Sequence, residues 1–226
     1  MNIKELKTKY KKNKNVITAR LNDFKLKGKN CSEENIFPEL CFCLFTPQSK
    51  AVSCWESVEK LKKENLLFKG SAPELSRHLN KVRFRNNKAK YVVEARRRIA
   101  QLCKIINFKF SVLQKQTGSR PLLQDGQISN LELRSWLVKN IKGIGLKEAG
   151  HFLRNIGRGE NLAILDRHIL KNLKALKVIK EIPQSLTPKK YFEIEKKLIG
   201  FSKKVNIPVT HLDLLFWSNE TGEIFK

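Results

Sequence analysis

The chain has 226 residues, a formal net charge of +25 and a pI near 10.0, with 41% hydrophobic residues. Such an excess of Lys and Arg points to a polyanionic partner, most simply a nucleic acid, while the apolar fraction supports a packed core and excludes a bare basic tail. The longest apolar run, Leu40 to Phe45, is far too short to span a bilayer, and the lysines run along the whole chain, which ranks an anionic membrane surface below nucleic acid as partner.

In chain order, the N-terminal segment with Lys4, Lys7, Lys9, Lys11 and Lys12 reads as a solvated helix with nonspecific attraction for DNA. It lacks the apolar stretch of a signal peptide, so the expected location is cytoplasmic, on the nucleoid. Thr46-Pro47 places Gln48 at a helix start. Lys69–Pro73 and Gln116–Pro121 read as loops from their Gly, Ser and Pro content. Between them, Arg83, Arg85 and Lys88 cluster beside Asn86 and Asn87 and are expected to line a DNA groove. Leu133, Trp136, Leu137 and Ile141 repeat at helical spacing, and so do Ala149, Phe152, Leu153 and Ile156.

Gly157 is placed to end that second helix. Asp166 stands where an N-cap should stand, ahead of Ile169, Leu170, Leu173 and Leu176. Thr187-Pro188 opens another helix through Tyr191, Leu198 and Ile199. Thr210 with Asp213 resembles a capping box and starts a last helix through Leu214, Leu215 and Phe216. Alternating strand patterns are hard to find. The expected fold is all-α, with two helical lobes flanking a DNA-binding cleft: one from 30 to 156, the other built from 1–29 and 157–226.

Five cysteines, an odd number without a C-x-x-C, read as reduced and buried thiols. Four histidines show no metal-ligand spacing, so neither a zinc site nor an iron–sulfur cluster is expected, and no cofactor. For want of a coiled-coil or dimer pattern, a monomer is expected.

The stretch Ile141-Lys-Gly-Ile-Gly-Leu-Lys-Glu-Ala149 carries the chemistry. Its turn, Lys142 to Gly145, joins the helix ending at Ile141 to the helix from Leu146 to Ile156. Glycines there let the backbone approach a phosphate, and two short helices joined so grip one strand through amides without reading sequence. Lys147 lies in the first turn of the second helix. The positive helix end and its cationic neighbours disfavour the ammonium, leaving the neutral amine a nucleophile needs.

Asp166 follows nineteen residues later. The helix climbs roughly 15 Å, and residues 157–165 can span up to about 30 Å, so the carboxylate can return to the amine. As an N-cap, Asp166 would stay ionised. It suits stabilising a cationic sugar transition state better than abstracting protons.

This combination resembles the helix-hairpin-helix DNA glycosylases, and within them the 8-oxoguanine glycosylases of the archaeal type, over about Glu39 to Lys226. Gly143-Ile-Gly-Leu-Lys147 is similar to the family hairpin and its Schiff-base lysine, and Leu165-Asp-Arg-His168 to the catalytic aspartate segment. Glu39–Lys50 resembles the helix and loop whose polar tip enters the duplex, and Phe84–Lys90 a second helix opening. Trp217–Lys226 resembles the ending of this subgroup.

The resemblance implies that Lys147 attacks C1′ of a flipped 8-oxoguanosine with Asp166 as partner. Trp217 would stack on the base, and the carboxylate of Lys226 would bond its Watson–Crick edge. Gln48, Lys50, Arg85, Lys88, Lys142, Gly143, Gly145 and His168 are expected to contact DNA. Lys142 stands where many relatives carry proline. The four-cysteine cluster of the endonuclease III and adenine glycosylase branches is absent, which sets those branches aside. The expected activity is that of a bifunctional glycosylase/AP lyase on double-stranded DNA containing 8-oxoguanine. The alternatives are a glycosylase for another damaged base and a non-catalytic hairpin protein that binds DNA.

Overall fold

The computed structural model describes residues 1–29, 31–107 and 128–226, so the loop read at Gln116–Pro121 lies outside the described residues. The described residues form helices and turns, with no strand. A long helix, α1 (Ile3–Lys29), leads into α2 (Glu33–Phe45) and α3 (Ala51–Lys63), then the short α4 (Leu66–Lys69) and α5 (Ala72–Arg77). These are followed by α6 (Arg85–Arg96) and α7 (Ile99–Asn107). The last five are α8 (Asn130–Asn140), α9 (Leu146–Asn155), α10 (Arg167–Ala175), α11 (Pro188–Val205) and α12 (Val209–Thr221).

Local chemistry sets most of the boundaries. The Ser129 hydroxyl caps α8 by accepting from the Glu132 amide at 3.2 Å. Asp166 Oδ1 accepts from the Ile169 amide at 2.8 Å, and Thr187 Oγ1 from the Lys190 amide at 3.3 Å. Past α9, the Arg158 amide bonds the Leu153 carbonyl and the Gly157 amide that of Arg154, a Schellman ending with Gly157 just beyond the helix.

Two expectations are corrected. The loop expected over 69–73 shrinks to Gly70-Ser71, because Lys69 ends α4 and Ser71 with Glu74 caps α5. The last helix starts at Val209 behind Pro208, so Thr210 lies inside it and Asp213 takes no part in a cap. The buried guanidinium of Arg154 claims the Asp213 carboxylate instead.

Two apolar clusters hold the helices. One draws on residues 31–162 and centres on α2, whose Ile36 to Phe45 are all buried. A helix buried on every side must be a central one. The other combines Leu6, Ile17 and Phe24 of α1 with residues 163–216, among them Ile169, Leu198, Leu212 and Phe216. Arg134 of α8 and Glu195 of α11 form a buried bidentate pair at 2.6 and 2.9 Å. Glu195 Oε2 also accepts the Ala163 amide at 2.8 Å, so this pair fixes the backbone that leads to Asp166.

Removing one member of such a pair strands the other. Arg134→Met is expected to cost about 3–5 kcal/mol of stability, and adding Glu195→Leu to recover more than half of that loss. Urea unfolding midpoints at constant m-value measure both; a double variant as unstable as the single one would show that the pair is not the cause.

Candidate active site

The cleft that gathers the predicted chemistry has a volume of about 980 Å³. Helix α9 forms one wall. Its apolar stripe, Ala149, Phe152, Leu153 and Ile156, is buried in the core. Its polar stripe, Lys147, His151 and Arg154, follows i, i+4, i+7 and lines the cleft. Opposite stand Asp166 and His168 at the start of α10, Asp213 and Trp217 of α12, and Lys226. Gln48 and Lys50, from the loop between α2 and α3, lie at the rim with Arg83. The structure therefore brings together eight residues expected from sequence: Gln48, Lys50, Arg83, Lys147, Asp166, His168, Trp217 and Lys226.

Asp166 reaches this wall through a notch in α9. Gly150 lies one turn beyond Lys147, and a Cβ there would stand 2.9 Å from the Ala163 carbonyl oxygen. With no side chain in the way, residues 163–165 lie flat on the helix. The Tyr191 hydroxyl donates to that same carbonyl at 2.6 Å and accepts from the Leu165 amide at 3.4 Å. The Lys147 ammonium is half-buried and stands 3.4 Å from Glu148 Oε1. The other Glu148 oxygen accepts the Gly145 amide at 3.2 Å, so that amide is engaged within the hairpin and is not turned out toward a phosphate.

The remaining hairpin residues, Lys142 and Gly143, are exposed outside the cleft lining. Gly143 holds a φ of +87°, and a Cβ would meet the Tyr91 ring at 2.4 Å, so only glycine fits this turn.

Lys88 corrects an expectation. It is buried, and its ammonium donates to the carbonyls of Phe45 and Pro47, both at 2.7 Å, and to Ser49 Oγ at 3.2 Å. Burial lowers its pKa to about 8. With three internal acceptors in place, Lys88 is a strut for the loop bearing Gln48 and does not face DNA. Gln48 is exposed at the tip with a φ of 56°, and the Ser49 amide bonds the Thr46 carbonyl at 3.0 Å. Pro47-Gln48 thus forms a tight turn, and α3 begins three residues after Gln48. Arg85 is exposed and donates to Asn80 Oδ1 at 2.7 Å.

Charge around the cleft is ordered by a buried network that short-range sequence patterns do not reveal. Arg154 pairs with Asp213 and donates to Asn155 Oδ1, and Asn155 Nδ2 donates to Glu39 Oε2 at 3.2 Å. Glu39 Oε1 receives the ammoniums of Lys27 and Lys226, the latter at 2.8 Å. Burial raises the Asp213 carboxyl to about 6, with the charge of Asp166 adding and those of Arg154 and Lys147 opposing. Burial lowers the Lys226 ammonium to about 8 against the pull of Glu39. Lys226 lies over the Trp55 and Phe42 rings. Trp217, half-buried, stacks on Phe225 at 6.4 Å, while its neighbour Phe216 is wholly in the core.

Sequence reasoning missed His151, Arg154, Asp213 and the anchoring role of Glu39. The signal for the first two was present: polar residues four and seven positions after Lys147 on an amphipathic helix.

Comparison with known proteins finds relatives over most of the chain. The profile of a family described as 8-oxoguanine DNA glycosylase matches residues 17–207. A Fusobacterium nucleatum protein named 8-oxoguanine DNA glycosylase/AP lyase is 46% identical over 222 residues, 98% of this chain and 96% of its own length. The Methanocaldococcus jannaschii protein of that name is 36% identical over 217 residues, 94% and 93% of the two lengths. The crystal structure of the M. jannaschii glycosylase/lyase in complex with a 15mer DNA containing 8-oxoguanine superposes with a TM-score of 0.81 at 34% identity, covering 98% of this chain and 100% of that one. That of the Thermotoga maritima 8-oxoguanine DNA glycosylase gives 0.83 at 29% identity, over 99% and 98%.

The notch at Gly150 generates a prediction. Gly150→Val should overpack the contact with Ala163, lowering stability by about 1–3 kcal/mol and Tm by roughly 2–10 °C. Calorimetry checks the value, and an unchanged Tm would show that residues 163–165 do not rest on α9.

Proposed function

This chain belongs to the 8-oxoguanine DNA glycosylase family, and from that premise we propose how its residues excise 8-oxoguanine from duplex DNA and nick the strand. The observation that carries the reading is the placement of Lys147 and Asp166 on one cleft, beside an aromatic face and large enough for a nucleoside. Phosphate binding alone needs neither group.

In this reading the damaged nucleotide turns out of the duplex into the cleft, and Trp217 offsets the lost stacking. Lys147, once its ammonium has given up a proton to solvent, forms a bond to C1′ as the C1′–N9 bond breaks, and the base leaves with the bonding pair and takes up a proton. Asp166 stands as an anion against the positive charge that develops on the sugar. The amine adduct loses a proton and opens the sugar to an imine. Removal of a C2′ proton then expels the 3′ phosphate by β-elimination, and water releases Lys147. The carboxylate of Lys226 is assigned the Watson–Crick edge, its side chain being held away from the cleft by Glu39.

DNA contact is proposed for Gln48, Lys50, Arg85, Lys142, Gly143 and His168, with Gly145 kept out of it by the bond of its amide to Glu148. The lobes 30–156 and 1–29 with 157–226 are proposed as the two sides that close on the duplex, a division the two apolar clusters follow closely. No helix among the described residues is long and apolar enough to cross a membrane. With chromosomal DNA as substrate, the proposed place of action is the cytoplasm, on the nucleoid, and the proposed working unit is a monomer.

Borohydride trapping tests the central step. A duplex with one 8-oxoguanine should give a covalent adduct that Lys147→Gln abolishes while duplex binding persists within a few-fold. Binding lost in step with cleavage would make Lys147 a phosphate contact. Trapping confined to a preformed abasic duplex would keep the amine chemistry and overturn the base assignment. A second expectation concerns the far end of the chain: a peptide appended after Lys226 should depress excision at least about tenfold more than one placed before Met1, the size expected for one lost edge contact. Equal rates would remove the Lys226 carboxylate from the pocket.

A further inference from the structure

His151 is a group in the cleft with nothing to bond among the described residues. It is 7% exposed, it lines the cleft, and both ring nitrogens are buried without a hydrogen-bond partner among the described residues. Burial, followed by the charges of Arg154 and Lys147, holds its pKa well below 6.5, so the ring is neutral at physiological pH. The main chain of Lys226 lies near enough to oppose that shift, but not in a geometry that makes a hydrogen bond. A neutral imidazole carries one donor and one acceptor, and buried polar groups in folded proteins are nearly always satisfied. Here the protein leaves both unmet at the wall of its own cleft.

Its position says what would meet them. His151 lies four residues beyond Lys147 on the same face of α9, about 6 Å further along the helix axis. The amine stands at the helix mouth and the imidazole one turn deeper. A chain of ring contacts then runs from His151 to Phe42 at 5.4 Å, on to Phe225 at 6.3 Å and to Trp217 at 6.4 Å. His151 thus shares the inner end of the cleft with Trp217 and Lys226, the end assigned above to the base, while the sugar and its C1′ stay with Lys147.

We propose that His151 contacts the flipped purine, its ring giving the base a hydrogen bond that no group among the described residues now takes up. The assignment rests on the glycosylase reading. It places the contribution of His151 in base release and not in the lyase step that follows, because the base has departed by the time the 3′ phosphate is expelled.

Two substrates separate this role from a structural one. Single-turnover rates are measured on a duplex carrying 8-oxoguanine and on the same duplex with a preformed abasic site. Both reactions use the same cleft and the same lysine, and only the first needs the base held. In His151→Leu the ratio of excision to abasic nicking should fall roughly tenfold, the scale of one lost net hydrogen bond. His151→Gln, which keeps a donor and an acceptor, should restore most of the ratio. A ratio within twofold of the unsubstituted chain in both variants, or a Gln variant as impaired as the Leu variant, would overturn the proposal. Should His151→Leu not fold, His151→Phe, which keeps the ring contact with Phe42, takes its place with the same expected ratio. If the unsubstituted chain nicks abasic DNA yet leaves 8-oxoguanine in place, the glycosylase reading itself fails and this assignment fails with it.

Discussion

The site depends on a set of charges that has been taken out of water. Arg154, Asp213, Asn155, Glu39 and Lys226 are all buried, and they connect α9, α12, α2 and the end of the chain, with Lys27 of α1 closing the set at the surface. Buried ions of this kind stabilise a fold only when each has its partner in place, because an unpaired member carries the whole desolvation penalty. The network is therefore better viewed as a specification of geometry than as a source of stability. It admits one mutual arrangement of the elements that carry Lys147, Trp217 and Lys226. The aromatic faces of Trp55 and Phe42 against the Lys226 ammonium narrow that choice further.

The large positive charge works at another range. Exposed cations such as Lys50, Arg83 and Arg167 stand at the cleft and, with the rest of the +25, draw a polyanion in over a Debye length of roughly 10 Å or less at physiological salt. Deeper in, cations are no longer free: Arg154 and Lys226 are each bound to a carboxylate. A phosphate backbone is thus attracted to the rim, while these two inner cations are already engaged. In the proposed reading what enters further is a base, which needs aromatic surface and hydrogen bonds; Trp217 lines the cleft there, backed by Phe225.

What could be read from the sequence was what is local. The hairpin, the Asp166 and Thr187 caps and the glycine past α9 depend on residues within about one helical turn of each other, so their patterns lie in a short window. The return of Asp166 to the Lys147 wall was readable only as chain length; Gly150, which makes the approach possible, looks in sequence like any small helical residue. Lys88 and Asp213 were misread for the same reason. Lys88 finds its carbonyl acceptors 43 and 41 residues away, and Asp213 its guanidinium 59 residues away. Lys226 meets Glu39 across 187 residues. Nothing in the neighbourhood of a lysine tells whether it will be solvated beside asparagines or folded under a loop, and in a chain with 46 Lys and Arg the solvated reading is the natural one.

Helix α9 shows why so few residues are needed to turn a DNA-binding hairpin into a site for sugar chemistry. Its first turn is part of the hairpin, so in the proposed reading whatever sets the hairpin against the backbone also sets Lys147 against a sugar. Its apolar stripe is anchored in the core by Phe152 and Leu153, so the register of the polar stripe is not adjustable. The notch at Gly150 then brings the cap of the next helix to the same wall, and with it the carboxylate of Asp166. Amine, carboxylate and hairpin thus come from about twenty-five consecutive residues whose geometry is fixed by one helix. Apart from His151, the groups proposed to meet the base come from elsewhere, on α12 and at Lys226, and line the same cleft. That division explains the architecture: the reacting groups are local and rigid, while the recognition surface is assembled across the fold and held there by buried charge.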